Sequence, residues 1–268
     1  MSKVYARKFP GYRPRYVDSK VILDWAIQFP KPARSRVLGL LDHIIYVSEE
    51  DATDSLRQLN NRIVTSLGRD GVGIPNIIYI QIDDAGSSSP VMLSMLKNVC
   101  NLERLGALFK DSRDLEGIVE STSSLREGAI VYVDDFSATG DQFMKNRKNV
   151  SEYITGNFSE FFLAPCLCEE ARNKIEGSGV KVVTSLVHTR DERPLRPESD
   201  VLDEEDRKEL LELSKMSGER NPLGYGGVGS MVVFWRGAPN NTLPLIRGNY
   251  LQDRIKGVFP RADHLPPL

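Results

Sequence analysis

The stretch Ile130–Phe143, IVYVDDFSATGDQF, decides how this chain is read. Its four apolar residues, Ile130 to Val133, predict a buried central strand. Asp134 and Asp135 then emerge at the strand's carboxyl end, where open α/β sheets bind ligands. Ser137 to Gly140 predict a short loop, and a helix begins near Asp141. The start of such a helix presents free backbone N–H groups and a partial positive charge, which makes it a ready anion site. Ser137 and Thr139 add hydroxyl donors, and Gly140 lets the backbone approach a ligand closely. Two carboxylates can accept hydrogen bonds from the vicinal hydroxyls of a ribose, and the loop and helix start can hold a phosphate. A sugar 5-phosphate carries both groups at about that separation.

Other chemistries fit the stretch less well. Tyr132-Val133-Asp134-Asp135 looks like the YxDD metal site of a reverse transcriptase. A polymerase palm would continue through a hairpin into a returning apolar strand, whereas SATGDQFMKN reads as a loop and a helix start. A DxD phosphatase needs alternating acids, and these are adjacent. The GxxxxGK[ST] pattern of a phosphate-binding P-loop is absent. An arbitrary Asp-Asp pair would be read as capping a loop or neutralising an arginine. Here strand end, Thr-Gly and following helix all agree on a cradle.

Outward from this stretch, two organisations meet. Up to about Gly68, VILDWAIQF, RSRVLGLLDHIIYV and DATDSLRQLNNRIVTSL repeat apolar residues at helical spacing. Ser48, followed by Glu49, Glu50 and Asp51, predicts a capped helix start. From residue 69 the pattern alternates. IPNIIYIQIDDAG, AIVYVDD, EFFLAPCLC and VKVVTSLVH read as strands, with a further one near Leu108 and Phe109. Helical segments lie between them, and a last strand, Met231 to Trp235, follows the Gly-rich GYGGVG. The expectation is an N-terminal helical region over 1–68 and, over 69–268, an α/β core with an open, mainly parallel sheet, a C-terminal strand and an extended tail.

Bulk properties exclude little else. The 268 residues can bury a sizeable core, and 35 Lys and Arg against 37 Asp and Glu leave a formal net charge of −2. No global field points to nucleic acid or to a membrane. Locally, Lys3, Arg7, Lys8, Arg13 and Arg15 form an acid-free basic arm, a candidate contact for nucleic acid or an acidic protein partner; the plainer reading is a loosely packed terminus. Three cysteines without regular spacing and three scattered histidines argue against a disulfide framework or a zinc site. Cys166 and Cys168 alternate on one strand face as small hydrophobes. No stretch approaches a membrane span, so the expected location is the cytoplasm. At strand ends, Tyr225 and Trp235 are candidates for stacking in an acceptor pocket, with core packing the plainer reading; His188 is a candidate for acid–base work, with a surface histidine the plainer reading; Arg190 is a candidate for a pyrophosphate contact.

The focal stretch resembles the phosphoribosyl pyrophosphate (PRPP) motif of type I phosphoribosyltransferases: four hydrophobic residues, two acids, and a small, hydroxyl-rich loop ending in Thr-Gly. The resemblance implies that Asp134 and Asp135 are the ribose-contacting acids of the catalytic centre, and that Ser137, Ala138, Thr139 and Gly140 form the 5-phosphate loop. It also implies that Asp83–Ser89, through Asp84, Gly86, Ser87, Ser88 and Ser89, grips pyrophosphate; a Ser-rich turn capping the next helix is the alternative. That loop has no Lys or Arg, so charge neutralisation falls to Mg²⁺ bound with the PRPP, or to groups elsewhere. Two features depart from the family pattern. Asp141 and Gln142 follow the Gly, and Ala138 stands where some purine-specific members carry a catalytic acid. Gly224-Tyr225-Gly226, the strand after it and Pro239-Asn240-Asn241-Thr242-Leu243-Pro244 are similar to the C-terminal end of PRTase-CE, a divergent group of bacterial conflict systems. That resemblance implies a phosphoribosyltransferase in antiphage defence, or alternatively a PRPP sensor or an interaction subunit of a defence complex, some members standing beside retron-type reverse transcriptases.

Overall fold

The computed structural model describes residues 7–82, 89–248 and 255–261. In chain order its helices are α1 (Ser19–Ala26), α2 (Arg34–Gly39), α3 (Glu49–Arg69), α4 (Ser89–Val99), α5 (Leu115–Leu125), α6 (Asp141–Ser151), α7 (Glu169–Glu176), α8 (Glu204–Lys215) and α9 (Pro244–Arg247). Its strands are β1 (Ile45–Val47), β2 (Ile77–Gln81), β3 (Leu108–Asp111), β4 (Glu127–Val133), β5 (Phe136–Ser137), β6 (Asn157–Cys168), β7 (Lys181–His188) and β8 (Val232–Phe234). The chain gathers into two compact units. One is Ala52–Val187; the other joins Met1–Asp51 to His188–Leu268.

The 52–187 unit is built on one sheet. Its strands run β3-β2-β4-β6, each neighbouring pair parallel, and both β5 and β7 pair with β6. Strand β4 is buried from Gly128 to Val133, as a central strand covered on both faces must be. Ile78, Ile80, Ile130, Tyr132 and Phe162 pack with Ile118 of α5, Phe143 and Val150 of α6, and Ala171 and Ile175 of α7. Tyr79 alternates with Ile78 and Ile80 and so points to the opposite face. There its hydroxyl donates to Asn60 Oδ1 of α3 at 2.6 Å, and burial pushes its pKa well up. Helices therefore cover both faces, an open α/β sheet preceded by N-terminal helices as expected.

Helix α3 begins where expected. Ser48 Oγ accepts from the Asp51 N–H at 3.0 Å, and the Asp51 carboxylate accepts from the Ser48 N–H at 3.2 Å, a reciprocal cap. Ala52, Leu56, Leu59, Ile63 and Leu67 form its buried stripe. Cys166 and Cys168 are buried, unbridged residues of β6.

The other unit departs from the periodic reading. The helix expected over RSRVLGLLDHIIYV stops at Gly39; a 3₁₀ turn follows, and Ile45–Val47 pairs in parallel with Val232–Phe234. A run ending Ile-Ile-Tyr-Val satisfies either period, and the strand partner that decides it is remote in sequence. In this unit Ile22, Trp25, Phe29 and Val37 share one core with Met231, Val233, Leu245, Ile246 and Phe259. The N-terminal helices thus bury their apolar faces against C-terminal residues, a grouping that does not follow the division expected at residue 68. The basic segment is likewise packed: Phe9 and Tyr12 are buried, Lys8 pairs with Asp42 at 2.7 Å, and Arg13 pairs with Glu49 at 2.7 Å. Lys3 lies outside the described residues. APNNTLPLIRG, expected as turns and extended chain, contains the short helix α9. Among the described residues no helix is long and apolar enough to cross a membrane.

The bond between Asn60 and Tyr79 is a buried polar tie between α3 and the sheet. Asn60→Ala strands a buried phenol, and we expect a loss of about 1–3 kcal/mol, read as a lower midpoint in urea unfolding followed by circular dichroism.

Candidate functional site

The strand order reverses between β2 and β4. From β2 the chain moves out to β3, then returns through α5 to place β4 on the other side of β2. The carboxyl ends of β2 and β4 thus meet at a topological switch point, the position where open α/β sheets bind ligands. The pairing Gln81↔Val133 puts these two ends side by side. Ile82 leads from β2 into residues 83–88, and Val133 leads into Asp134. Asp84, Gly86, Ser87 and Ser88 lie outside the described residues.

Asp134 is buried and Asp135 half-buried. The Asp134 N–H donates to Leu163 O of β6 at 3.0 Å, and its Oδ1 accepts from the Asp135 N–H at 2.9 Å. The chain then rejoins β6 as β5, a strand the sequence did not suggest. Phe136↔Cys166 and Ser137↔Leu167 keep the 30-residue offset of Val133↔Leu163 (163 − 133 = 166 − 136). The two acids thus occupy an interruption in one ladder. Ser137 is a buried strand residue and not part of a free loop. The turn proper is Ala138, Thr139 and Gly140, with Thr139 half-exposed.

Gly140 caps α6 with φ +76°, the left-handed region that favours glycine. A Cβ there would come within 3.4 Å of Ala171 Cα and Lys174 Cδ, so α7 lies close against the turn. Thr139 Oγ1 accepts from the Asp141 N–H at 3.3 Å. Phe143 fixes the first turn of α6, its ring edge-on to Tyr132 at 5.2 Å and to Phe162 at 4.8 Å. One turn on, Arg147 grips Glu160 of β6, which also accepts from the Tyr132 hydroxyl.

Ser89 differs from its sequence reading as a pyrophosphate donor. It is fully buried at the start of α4; its Oγ accepts from the Ile82 N–H at 3.0 Å and donates to Val133 O at 2.6 Å. It ties the end of β2 to the residue before Asp134. Asn146 of α6 adds a bond from Nδ2 to Ile82 O. Neither tie was visible in the sequence, because both join elements remote from one another. Lys174 was also missed. It ion-pairs with Asp141, whose carboxyl is held below its usual range by the Lys174 hydrogen bond first and by Thr139 next.

Four other candidates stand in the unit of 1–51 and 188–268. His188 is buried, not a surface group: Nε2 accepts from the Met231 N–H at 3.2 Å, and Nδ1 lies 3.4 Å from Glu192 Oε2. The ring is fully buried and its Nε2 is taken up by the backbone, which argues against an acid–base role at an open site. Arg190 faces Glu198 at 3.6 Å. Trp235 is buried, while Tyr225 is 62% exposed with its carbonyl accepting from Asn241 Nδ2.

Parallel order, helices on both faces and an acid pair with its turn at the switch point define a phosphoribosyltransferase-like fold. The chain belongs to the PRTase-CE family, whose model matches residues 22–261. Among solved structures it is similar to an orotate phosphoribosyltransferase from Aeropyrum pernix, at 17% identity and a TM-score of 0.33, covering 51% of this chain and 68% of that one. A hypoxanthine-guanine phosphoribosyltransferase from Schistosoma mansoni matches at 12% identity and a TM-score of 0.36, covering 54% and 69%. A purine phosphoribosyltransferase from Pyrococcus horikoshii matches at 11% and 0.32, covering 58% and 88%. No curated protein matches.

Two outcomes test this framework. Ser89→Ala leaves the buried Ile82 N–H without its acceptor and should cost about 1–3 kcal/mol in chemical denaturation. At the end of β3, the Arg113 guanidinium holds Asp111 at about 2 instead of 3.8, with Gln81 Nε2 adding a bond at 2.6 Å. A lowered folded-state pKa stabilises above the unfolded value. This contribution is therefore present above pH 3.8 and lost as pH falls towards about 2. Arg113→Ala should remove that part of the acid-unfolding profile.

Proposed function

We propose that the 52–187 unit binds PRPP and transfers its 5-phosphoribosyl group to an acceptor. The observation that carries this reading is one juxtaposition. Asp134 and Asp135 interrupt a central ladder at the switch point, and within five residues the chain turns through Gly140 into the N-terminus of an 11-residue helix. The carboxylates accept hydrogen bonds from the ribose 2- and 3-hydroxyls, and the 138–141 turn receives the 5-phosphate. Pyrophosphate is assigned to segment 83–88 on the sequence resemblance alone.

In the reaction, the anomeric carbon–oxygen bond breaks and its electron pair leaves with pyrophosphate. The acceptor's lone pair forms the new bond to the anomeric carbon, and the acceptor's proton passes to water. Positioning of an oxocarbenium-like centre is the protein's contribution. Among the described residues no group of three or more His, Cys, Asp or Glu is assembled to hold a metal. A Mg²⁺ bound with the PRPP would supply neutralisation of the leaving charge. A second reading, a PRPP sensor without transfer, is favoured by Ala138, which offers no acid or base at a buried position of the turn. A role in antiphage defence is proposed on membership of PRTase-CE alone.

The test is calorimetry with PRPP and Mg²⁺. Asp134→Asn with Asp135→Asn should weaken binding about tenfold or more, the loss of roughly 1.4 kcal/mol or above, with the circular dichroism spectrum retained. Unchanged affinity in that variant would sink the cradle reading. Released pyrophosphate on addition of candidate acceptors then separates transferase from sensor.

A further inference from the structure

Asp141 is the residue that fits a phosphate cradle worst, and its surroundings suggest what it does. The carboxylate stands in the first turn of α6, where an arriving phosphate dianion would meet like charge. It is not alone there. Lys174, on α7, reaches across to it, and the aliphatic stem of that lysine rests against Gly140, its Cδ 3.4 Å from where a Cβ would stand. The stem is therefore aligned along the same turn that receives the 5-phosphate in the reading above. The ammonium is delivered from a second element, one not contained in the Asp134–Gly140 motif.

The pair is also easy to part. The side chains of Asp141 and Lys174 are 59% and 46% exposed, and ion pairs this accessible contribute little to stability. A phosphate dianion offers the ammonium more charge and three acceptor oxygens against the two of a carboxylate. Exchange of one partner for the other needs only rotation of a flexible lysine end.

We propose that Lys174 is a ligand of the 5-phosphate, held at the turn by Asp141 until the phosphate displaces that carboxylate. Asp141 is then an internal competitor: it keeps the ammonium near the turn and sets the affinity for phosphorylated sugars. This inference rests on the ribose 5-phosphate reading of the same turn.

The test measures binding of ribose 5-phosphate, PRPP with Mg²⁺ and unphosphorylated ribose to the full chain and three variants. Lys174→Gln should weaken ribose 5-phosphate and PRPP about tenfold, while any ribose binding stays unchanged. Asp141→Asn should tighten the two phosphorylated ligands several-fold. The double variant should recover only part of the Lys174→Gln loss, through relief of the Asp141 charge, and stay weaker than the wild type. If the double variant instead regains wild-type affinity, Lys174 only neutralises Asp141 and the proposal is overturned. If the wild type binds PRPP but neither single substitution changes its affinity, the proposal fails while the cradle reading stands. A wild-type protein that binds neither phosphorylated sugar overturns both. Both side chains are exposed, and far-UV circular dichroism confirms that each variant is folded.

Discussion

Everything at the site follows from the burial of β4. With β2 on one side, β6 on the other and helices on both faces, its residues from Gly128 to Val133 have no access to water. A charged side chain in that run would need a buried partner of its own. The first charged residue is Asp134, itself buried, and there the ladder is interrupted. Pairing with β6 lapses at the two acids and resumes at Phe136 and Ser137 in the unchanged register. The Asp134 N–H still bonds Leu163 O, so the acids stand in line with the chain on either side of them. This fixes their position more tightly than a loop would, because a strand register can shift only by whole residues.

The same burial explains what was legible in the sequence. Ile77–Ile80, Ala129–Val133 and Phe161–Cys168 are continuous apolar runs bounded by polar or Gly residues, so their strands were readable, as was the Ser48 cap. Strand β1 was not, because Ile44-Ile45-Tyr46-Val47 follows a helical stretch and its partner begins only at Val232. Strand β5 escaped because two residues carry no period. At the site, the acids and the Thr-Gly turn are local and could be read from one strand–turn–helix unit. Ser89, Asn146 and Lys174 meet the turn or its neighbouring strand from elements that only the fold brings together. A Ser at the start of a helix looks the same whether its hydroxyl faces a ligand or, as here, the carbonyl of Val133.

His188 shows the opposite error. A polar side chain at a strand's carboxyl end attracts a functional reading, yet its Nε2 is spent on backbone, as are two arginines that follow it. Arg193 is fully buried, donating to His188 O at 2.8 Å and to Val228 O at 3.2 Å. Arg196 donates to Gly227 O at 3.1 Å. The segment 224–231 is rich in glycine, with positive φ at Gly224, Gly226, Gly227 and Gly229. Such a segment makes few ladder bonds of its own, so its carbonyls and N–H groups need side-chain partners when buried. His188, Arg193 and Arg196 supply them. Position relative to a strand end does not separate a ligand group from a backbone partner; the number of bonds already made by the side chain does.

Charge alone then sets how a sugar phosphate lies in the proposed cradle. Asp134 and Asp135 accept hydrogen bonds and repel anions, so their end suits hydroxyl groups. The start of α6 presents backbone N–H groups and the positive end of the helix dipole, so it suits the phosphate. A ligand turned end for end would set its phosphate on two carboxylates and its hydroxyls at the positive end of a helix. Both contacts would be worse, and neither could be repaired by side-chain rotation, since the acids are held at a ladder and the N–H groups at a helix end. In the proposed cradle the order acid–acid–turn–helix therefore favours one orientation of a sugar phosphate. With the phosphate and the two ribose hydroxyls fixed, the anomeric carbon has only one direction left to face.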